Sequence, residues 1–343
     1  MTVTAGLIAN PAAGKDIRRL VAHASVFGND EKVNILRRVV LGLEAAGVGR
    51  IVYMPDPHRL VERSLEGIDA KAEVVPVDGS FRADVTDTMK AAAAMQASGV
   101  RVIVSLGGDG TNRALVKGAS DVPLVPISTG TNNVFPVMVE GTVAGLAAGA
   151  IAAGVVDPSA VAQRCKLLDV GLGGGRHEIA LIDAVFMAPG FVGSRAIWET
   201  EAIREVVLTR AEAHAVGMSA VGGMLVEVAP SDDCGLHLEI GDAGSEVRAA
   251  IAPGLIRPVR VERVERVELG ARLGIEGPAL LALDGERELL IEEGRATDVT
   301  LLRSGPPVVD IGRCLAAART AGFLRPAARY EFGGGSARPR MRW

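Results

Sequence analysis

Residues 100–111 read VRVIVSLGGDGT. The first part is a short run of apolar and β-branched residues, the pattern of a strand buried on both faces. The strand stops at Gly107-Gly108-Asp109-Gly110-Thr111, and residues 112–117 follow with a helical pattern. A strand-to-helix turn leaves backbone N–H groups unpaired at the helix start, with the positive end of the helix dipole behind them. Glycines let that backbone approach an anion closely and adopt positive φ. Asp109 would sit beside that anion, an unfavourable place unless it holds a magnesium ion or takes a proton, and phosphoryl transfer needs both tasks done.

The same alternation extends on both sides. Residues 6–10, 51–54, 73–77 and 124–127 read as strands, and residues 30–46, 84–97 and 142–153 as helices. Strands separated by helices imply a parallel sheet covered on both faces, with ligands at the carboxyl ends of its strands. The Ala- and Gly-rich stretch 141–156, GTVAGLAAGAIAAGVV, is too short and weak to span a bilayer and reads as a helix buried between protein layers.

From about Lys166 the strand patterns crowd together. They fall at residues 166–171, 179–187, 218–229, 236–240, 246–251, 259–269, 279–283, 288–292 and 299–302. Gly241-Asp242 and Asp284-Gly285 read as turns between them, and the glycines of 171–175 as a hairpin turn. Residues 196–214 read as a charged amphipathic helix and 310–321 as a last helix. The expected organisation is an α/β domain over residues 1–160 and a β-rich domain over 161–308. A C-terminal helical segment, 309–332, would return to the first domain, and a flexible basic tail would occupy 333–343.

With 343 residues, 48% hydrophobic and 23% charged, the chain can bury a core without staples. A net charge of −4 argues against a nucleic-acid binder. The N-terminus has no signal-peptide pattern, so a cytoplasmic protein without membrane attachment is expected. Cys165, Cys234 and Cys314 form no C-x-x-C pair, and the 5 histidines show no ligand spacing. No G-x-S-x-G elbow supports a serine hydrolase; Ser105 lies inside the strand pattern.

Two further loops follow strand patterns. Residues 126–135, PISTGTNNVF, offer Ser128, Thr129, Thr131, Asn132 and Asn133 around Gly130, neutral groups suited to a ribose or a base edge. Residues 10–16, NPAAGKD, bring Lys15, which on its own reads as a solvated turn lysine or a phosphate-steering charge; this is not a Walker loop.

These loops, in this order, resemble the superfamily that joins NAD kinases with diacylglycerol and sphingolipid kinases. Its G-G-D-G-T hallmark is matched at residues 107–111, its N-P-x-x-G-K opening by Asn10, Pro11, Gly14 and Lys15, and its G-T-G-N-type loop by residues 129–132. Residues 283–286, LDGE, are similar to its D-G-E turn. Within the superfamily the opening of the chain and the loop ISTGTNNVFP look most like the acetoin-catabolism protein X family, classed as NAD-kinase-like.

The resemblance implies ATP and Mg2+ as phosphoryl source and self-association as a dimer or tetramer. It implies phosphate binding by Gly107, Gly108, Gly110, Thr111, Asn10 and Lys15, and nucleoside binding by Thr129, Gly130, Thr131, Asn132 and Asn133. Asp109 would be base or metal ligand, and Asp183, Asp284 and Glu286 would face the acceptor. NAD kinases carry A-L-N-E or A-L-N-D where residues 180–183 read ALID, so Ile182 replaces an amide that holds the dinucleotide. NAD or a related dinucleotide is the first acceptor expected and a small alcohol such as acetoin the second. A nucleotide-binding regulator without catalysis is the rival from another class.

Overall fold

The computed structural model describes residues 2–14, 23, 27–84, 86–189, 200–285 and 287–324. The first half runs β1 (Thr4–Ala9), α1 (Asn29–Ala45), β2 (Arg50–Tyr53), α2 (Leu60–Leu65), β3 (Glu73–Pro76), α3 (Asp87–Ala97), β4 (Ile103–Gly107), α4 (Asp109–Gly118), β5 (Leu124–Ser128) and α5 (Gly141–Ala152). Every residue of β4 and β5 is buried, which is why these strands read as unbroken apolar runs. After a short α6 (Pro158–Val161), β6 (Ala162–Arg164) joins the same sheet.

β1 to β5 are parallel, in the order β3-β2-β1-β4-β5. The order reverses between β1 and β4, so a crevice opens at their carboxyl ends. Helices cover both faces. The core under α1 and α5 holds Leu36, Val40, Leu43, Ala144 and Ala148, and the opposite core holds Ala91, Met95, Leu115 and Val116. α1 and α5 cross at glycines: a Cβ on Gly145 would lie 2.4 Å from the Val39 carbonyl oxygen, and one on Gly42 would lie 2.4 Å from that of Thr142.

The second half contains β7 (Leu167–Gly171), β8 (His177–Ala180), β9 (Asp183–Met187), β10 (Ile203–Leu208), α7 (Met218–Gly223), β11 (Cys234–Ala252) and β12 (Leu255–Glu268). It continues through β13 (Arg272–Glu276), β14 (Ala279–Leu283), β15 (Arg287–Ile291) and β16 (Ala296–Leu302). These strands form two antiparallel sheets, ordered β12-β11-β10-β9-β14-β15 and β13-β16-β7-β8. Leu168, Val170 and Leu301 of one meet Phe186, Val207 and Leu281 of the other in a shared core. The molecule is therefore an α/β region with a parallel sheet followed by a β-rich region. The chain then re-enters the first sheet: β17 (Pro307–Val309) inserts between β5 and β6, and α8 (Ile311–Thr320) buries Cys314 and Ala318 in the core beneath α5.

Four expectations are corrected. Residues 203–208, read as helix, are strand β10; their β-branched side chains pair with β9 and β11, and tertiary pairing overrides a period that fits either state. Residues 196–199 lie outside the described residues, as does the basic tail. Residues 218–223, read as strand, are helix α7. Its glycines permit close approach, since a Cβ on Gly223 would lie 2.3 Å from the Ala213 nitrogen. Gly241-Asp242 is no hairpin turn but sits in an irregularity of the single strand β11. The run 179–187 divides at Leu181-Ile182 into strands of two different sheets. Among the described residues, no helix is long and apolar enough to cross a membrane.

Candidate active site

Asp109 is the first residue of α4, at the carboxyl end of β4 beside the reversal of strand order. Gly107 and Gly108 of the turn serve close approach. None of Gly107, Gly108 and Gly110 has positive φ, contrary to the sequence-based expectation. A Cβ on Gly107 would lie 2.5 Å from the Thr111 Cβ, and one on Gly108 would lie 2.8 Å from the Asn133 Oδ1. The turn is braced from beneath. Buried Ser105 donates to the Asn112 Oδ1 (2.7 Å), and the Asn112 side-chain amide donates to the Gly108 carbonyl (2.9 Å). As at any helix start, the first amides of α4 have no partner within the helix.

The three loops are tied together. The Asn10 side-chain amide donates to the Thr111 hydroxyl (2.9 Å), joining the loop after β1 to the glycine turn. Lys32, fully buried on α1, donates to the carbonyls of Asn10 (3.1 Å) and Pro11 (2.8 Å) and holds that loop from below. Lys15 lies outside the described residues. The Asp109 carboxylate accepts hydrogen bonds from the backbone amides of Phe135 (2.8 Å) and Val134 (3.1 Å), which fixes its rotamer and closes the loop after β5 against α4.

Within that loop the expected nucleoside ligands separate. Thr129 and Gly130 are buried, and the Asn133 side-chain amide donates inward to the Ser128 hydroxyl (2.8 Å). Asn133 thus braces the loop while staying half-buried beside the glycine turn. Thr131 stays half-exposed, and Asn132 reaches the cleft wall.

The cleft lies between the parallel sheet and the β-rich region. Asp109, Asn132 and Val134 form one wall; Ile182, Asp183, Val185, Val216, Met218 and Ile251 form the other. Asp109 and Asp183 thus face a mostly apolar groove, and the Asp284-Gly285 turn lines it as well. Asp284 belongs to the lining of the same cleft, with its side chain held inward: it is fully buried, and its oxygens accept the amides of Ile182 (2.8 Å) and Leu181 (2.9 Å) and meet the Arg113 guanidinium at 3.2 Å. Burial pushes its carboxyl above the ordinary aspartate value, with Arg113 and those amides acting against the shift. Asp284 and Gly285, at φ 49° and 65°, form the tight turn between β14 and β15. Glu286 lies outside the described residues.

The sequence reading missed Lys32, Asn112, Arg113 and Arg210. Lys32 and Arg113 carried a signal, as basic residues on the buried faces of α1 and α4. Arg210 follows β10, pairs with Glu212 at 3.2 Å and lies within electrostatic range of Asp109. Nothing local in the sequence marks it.

A parallel sheet with this glycine turn, facing a β-rich region across a cleft, defines an NAD kinase-like fold. The family described as "ATP-NAD kinase N-terminal domain" matches residues 5–155. The solved yeast NADH kinase complexed with NADH shares the fold at a TM-score of 0.52 and 12% identity, over 96% of this chain and 89% of that one. A diacylglycerol kinase from Bacillus anthracis str. Sterne aligns at a TM-score of 0.48 and 12% identity, over 89% of this chain and 96% of that one. Within that class the chain belongs to the acetoin catabolism protein X family. Residues 166–304 match the acetoin catabolism protein X C-terminal domain. The acetoin catabolism protein X of Cupriavidus necator is 38% identical over 325 residues, 90% of each chain.

Proposed function

We propose that this protein is a cytoplasmic, Mg-ATP-dependent phosphotransferase that phosphorylates a hydroxyl group in acetoin catabolism, with NAD or a related dinucleotide as the first acceptor. The observation that carries this reading is the placement of Asp109: at the start of α4, with a fixed rotamer, and facing a cleft whose opposite wall presents Asp183. The amides of residues 108–111 would hold the donor phosphates, with Asn10 and Thr111 keeping the loops in register. Asn132 would contact the nucleoside from the cleft wall. Asp109 would orient the acceptor hydroxyl and accept its proton, and the apolar wall would exclude water.

Magnesium keeps several waters and uses one or two carboxylates plus substrate phosphates; Asp183 would hold it, or Asp109 where it serves the metal in place of acting as base. Bound there, it would neutralise charge on the transferred group.

Ile182 favours the second reading, a nucleotide-binding regulator. It is only 2% exposed and lines the cleft where an amide would hold a dinucleotide. The test is incubation with Mg-ATP and NAD, NADH or acetoin, with product detected by mass spectrometry. A phosphorylated acceptor supports the phosphotransferase; binding of ATP or NAD without turnover on any acceptor supports the regulator.

A further inference from the structure

We infer that Arg113 and Asp284 are positioning residues that couple the phosphate-binding turn to the acceptor wall; this rests on the phosphotransfer reading of the cleft. Arg113 lies one helical turn beyond Asp109 on α4 and is 8% exposed. Its guanidinium crosses to the β-rich region, donating to the Leu283 carbonyl at 2.6 Å and to the Asp284 carboxylate at 3.2 Å. Asp284 in turn accepts the amides of Leu181 and Ile182 and lies 3.4 Å from that of Asp183. Leu181 and Ile182 are the break between β8 and β9, and Asp183, the first residue of β9, is the acid on the far wall. One unbroken chain of buried hydrogen bonds therefore links the helix that begins at Asp109 to the segment that presents Asp183.

A second contact between the same units, the Lys117–Glu178 ion pair, sits at the far end of α4 and reaches β8, apart from the Arg113–Asp284 chain. It provides a control in which the interface is weakened and the chain to Asp183 is intact.

The experiment compares the wild type, the double variant Arg113→Met/Asp284→Asn, the conservative Arg113→Lys and the control Lys117→Met. The double variant removes both buried charges together, so neither is left unpaired, and asparagine retains an acceptor for the amides. Hydrogen exchange at residues 181–183 is measured with and without Mg-ATP, beside turnover and the nucleotide KM. Mg-ATP is expected to slow exchange at 181–183 in the wild type and in Lys117→Met. In the double variant that response is lost and kcat falls about 100-fold, with nucleotide KM unchanged; Arg113→Lys falls between. A folded double variant that keeps both the response and kcat overturns the coupling. A wild type that binds no nucleotide overturns the phosphotransfer reading instead. If the double variant fails to fold, Arg113→Lys decides by the same response: retained in full, it overturns the inference.

Discussion

At the head of α4 the Asp109 carboxylate has two neighbourhoods. It accepts amide hydrogens from Val134 and Phe135, and it faces the cleft. The two roles separate by substitution. Asp109→Asn keeps an oxygen for the Phe135 amide, so nucleotide affinity should stay within about threefold while turnover falls roughly 100- to 10,000-fold. Asp109→Ala also frees the loop, and affinity should fall about tenfold as charge-assisted hydrogen bonds are lost. Titration calorimetry beside turnover distinguishes the two variants. Lys166 gives a prediction in pH. Burial pushes its ammonium from 10.5 down to about 8, so between those values the unfolded chain binds a proton that the folded chain lacks. Stability contributed by this group therefore rises across that window. Cys165, pushed by burial from 9.0 up to about 12, acts in the opposite direction above its ordinary value. Because Cys165 is present in both proteins, urea midpoints of the wild type minus those of Lys166→Met should climb from pH 8 to 10.5. A flat difference removes Lys166 from the account.

Among the elements, α1 and α5 show what small residues do. Gly141, Gly145 and Gly149 line one stripe of α5, and each lies where a Cβ would strike α1. Gly145→Ala should cost about 1–3 kcal/mol in urea unfolding, because the obstacle is the Val39 carbonyl rather than a flexible side chain. The stretch was legible as a buried helix from its composition, although its partner was not. In the first half, β4 and β5 are the most legible because strands buried throughout leave unbroken apolar runs. β10 and α7 were misread because their short apolar runs fit either period, and pairing with β9 and β11 or packing against residues 212–213 decides between them. At the site, the glycine turn and Asp109 stood out through local chemistry. The inward turn of Asn133, the burial of Asp284 and the reach of Arg113 depend on residues far away in the chain, which no local pattern encodes.

For the whole molecule, the return of the chain matters most. β17 joins β5 to β6, and the fully buried Cys314 on α8 lies with its Sγ 3.4 Å from the Ala147 carbonyl. A chain ending at residue 304 would expose this face of α5, and it should be insoluble or markedly less stable than the full protein in thermal unfolding; equal stability would show that the first sheet is complete without its last segment. The two regions share a core as well, since Leu181 and Ile182 pack with Leu115 and Phe135. The cleft is thus built from both halves around α4. A crystal structure of the full protein with magnesium and a non-hydrolysable ATP analogue tests this most directly. The account predicts phosphate density over the amides of residues 108–111, with the terminal phosphate between Asp109 and Asp183. A nucleotide bound away from the glycine turn, or a cleft that stays empty at saturating analogue, would contradict it.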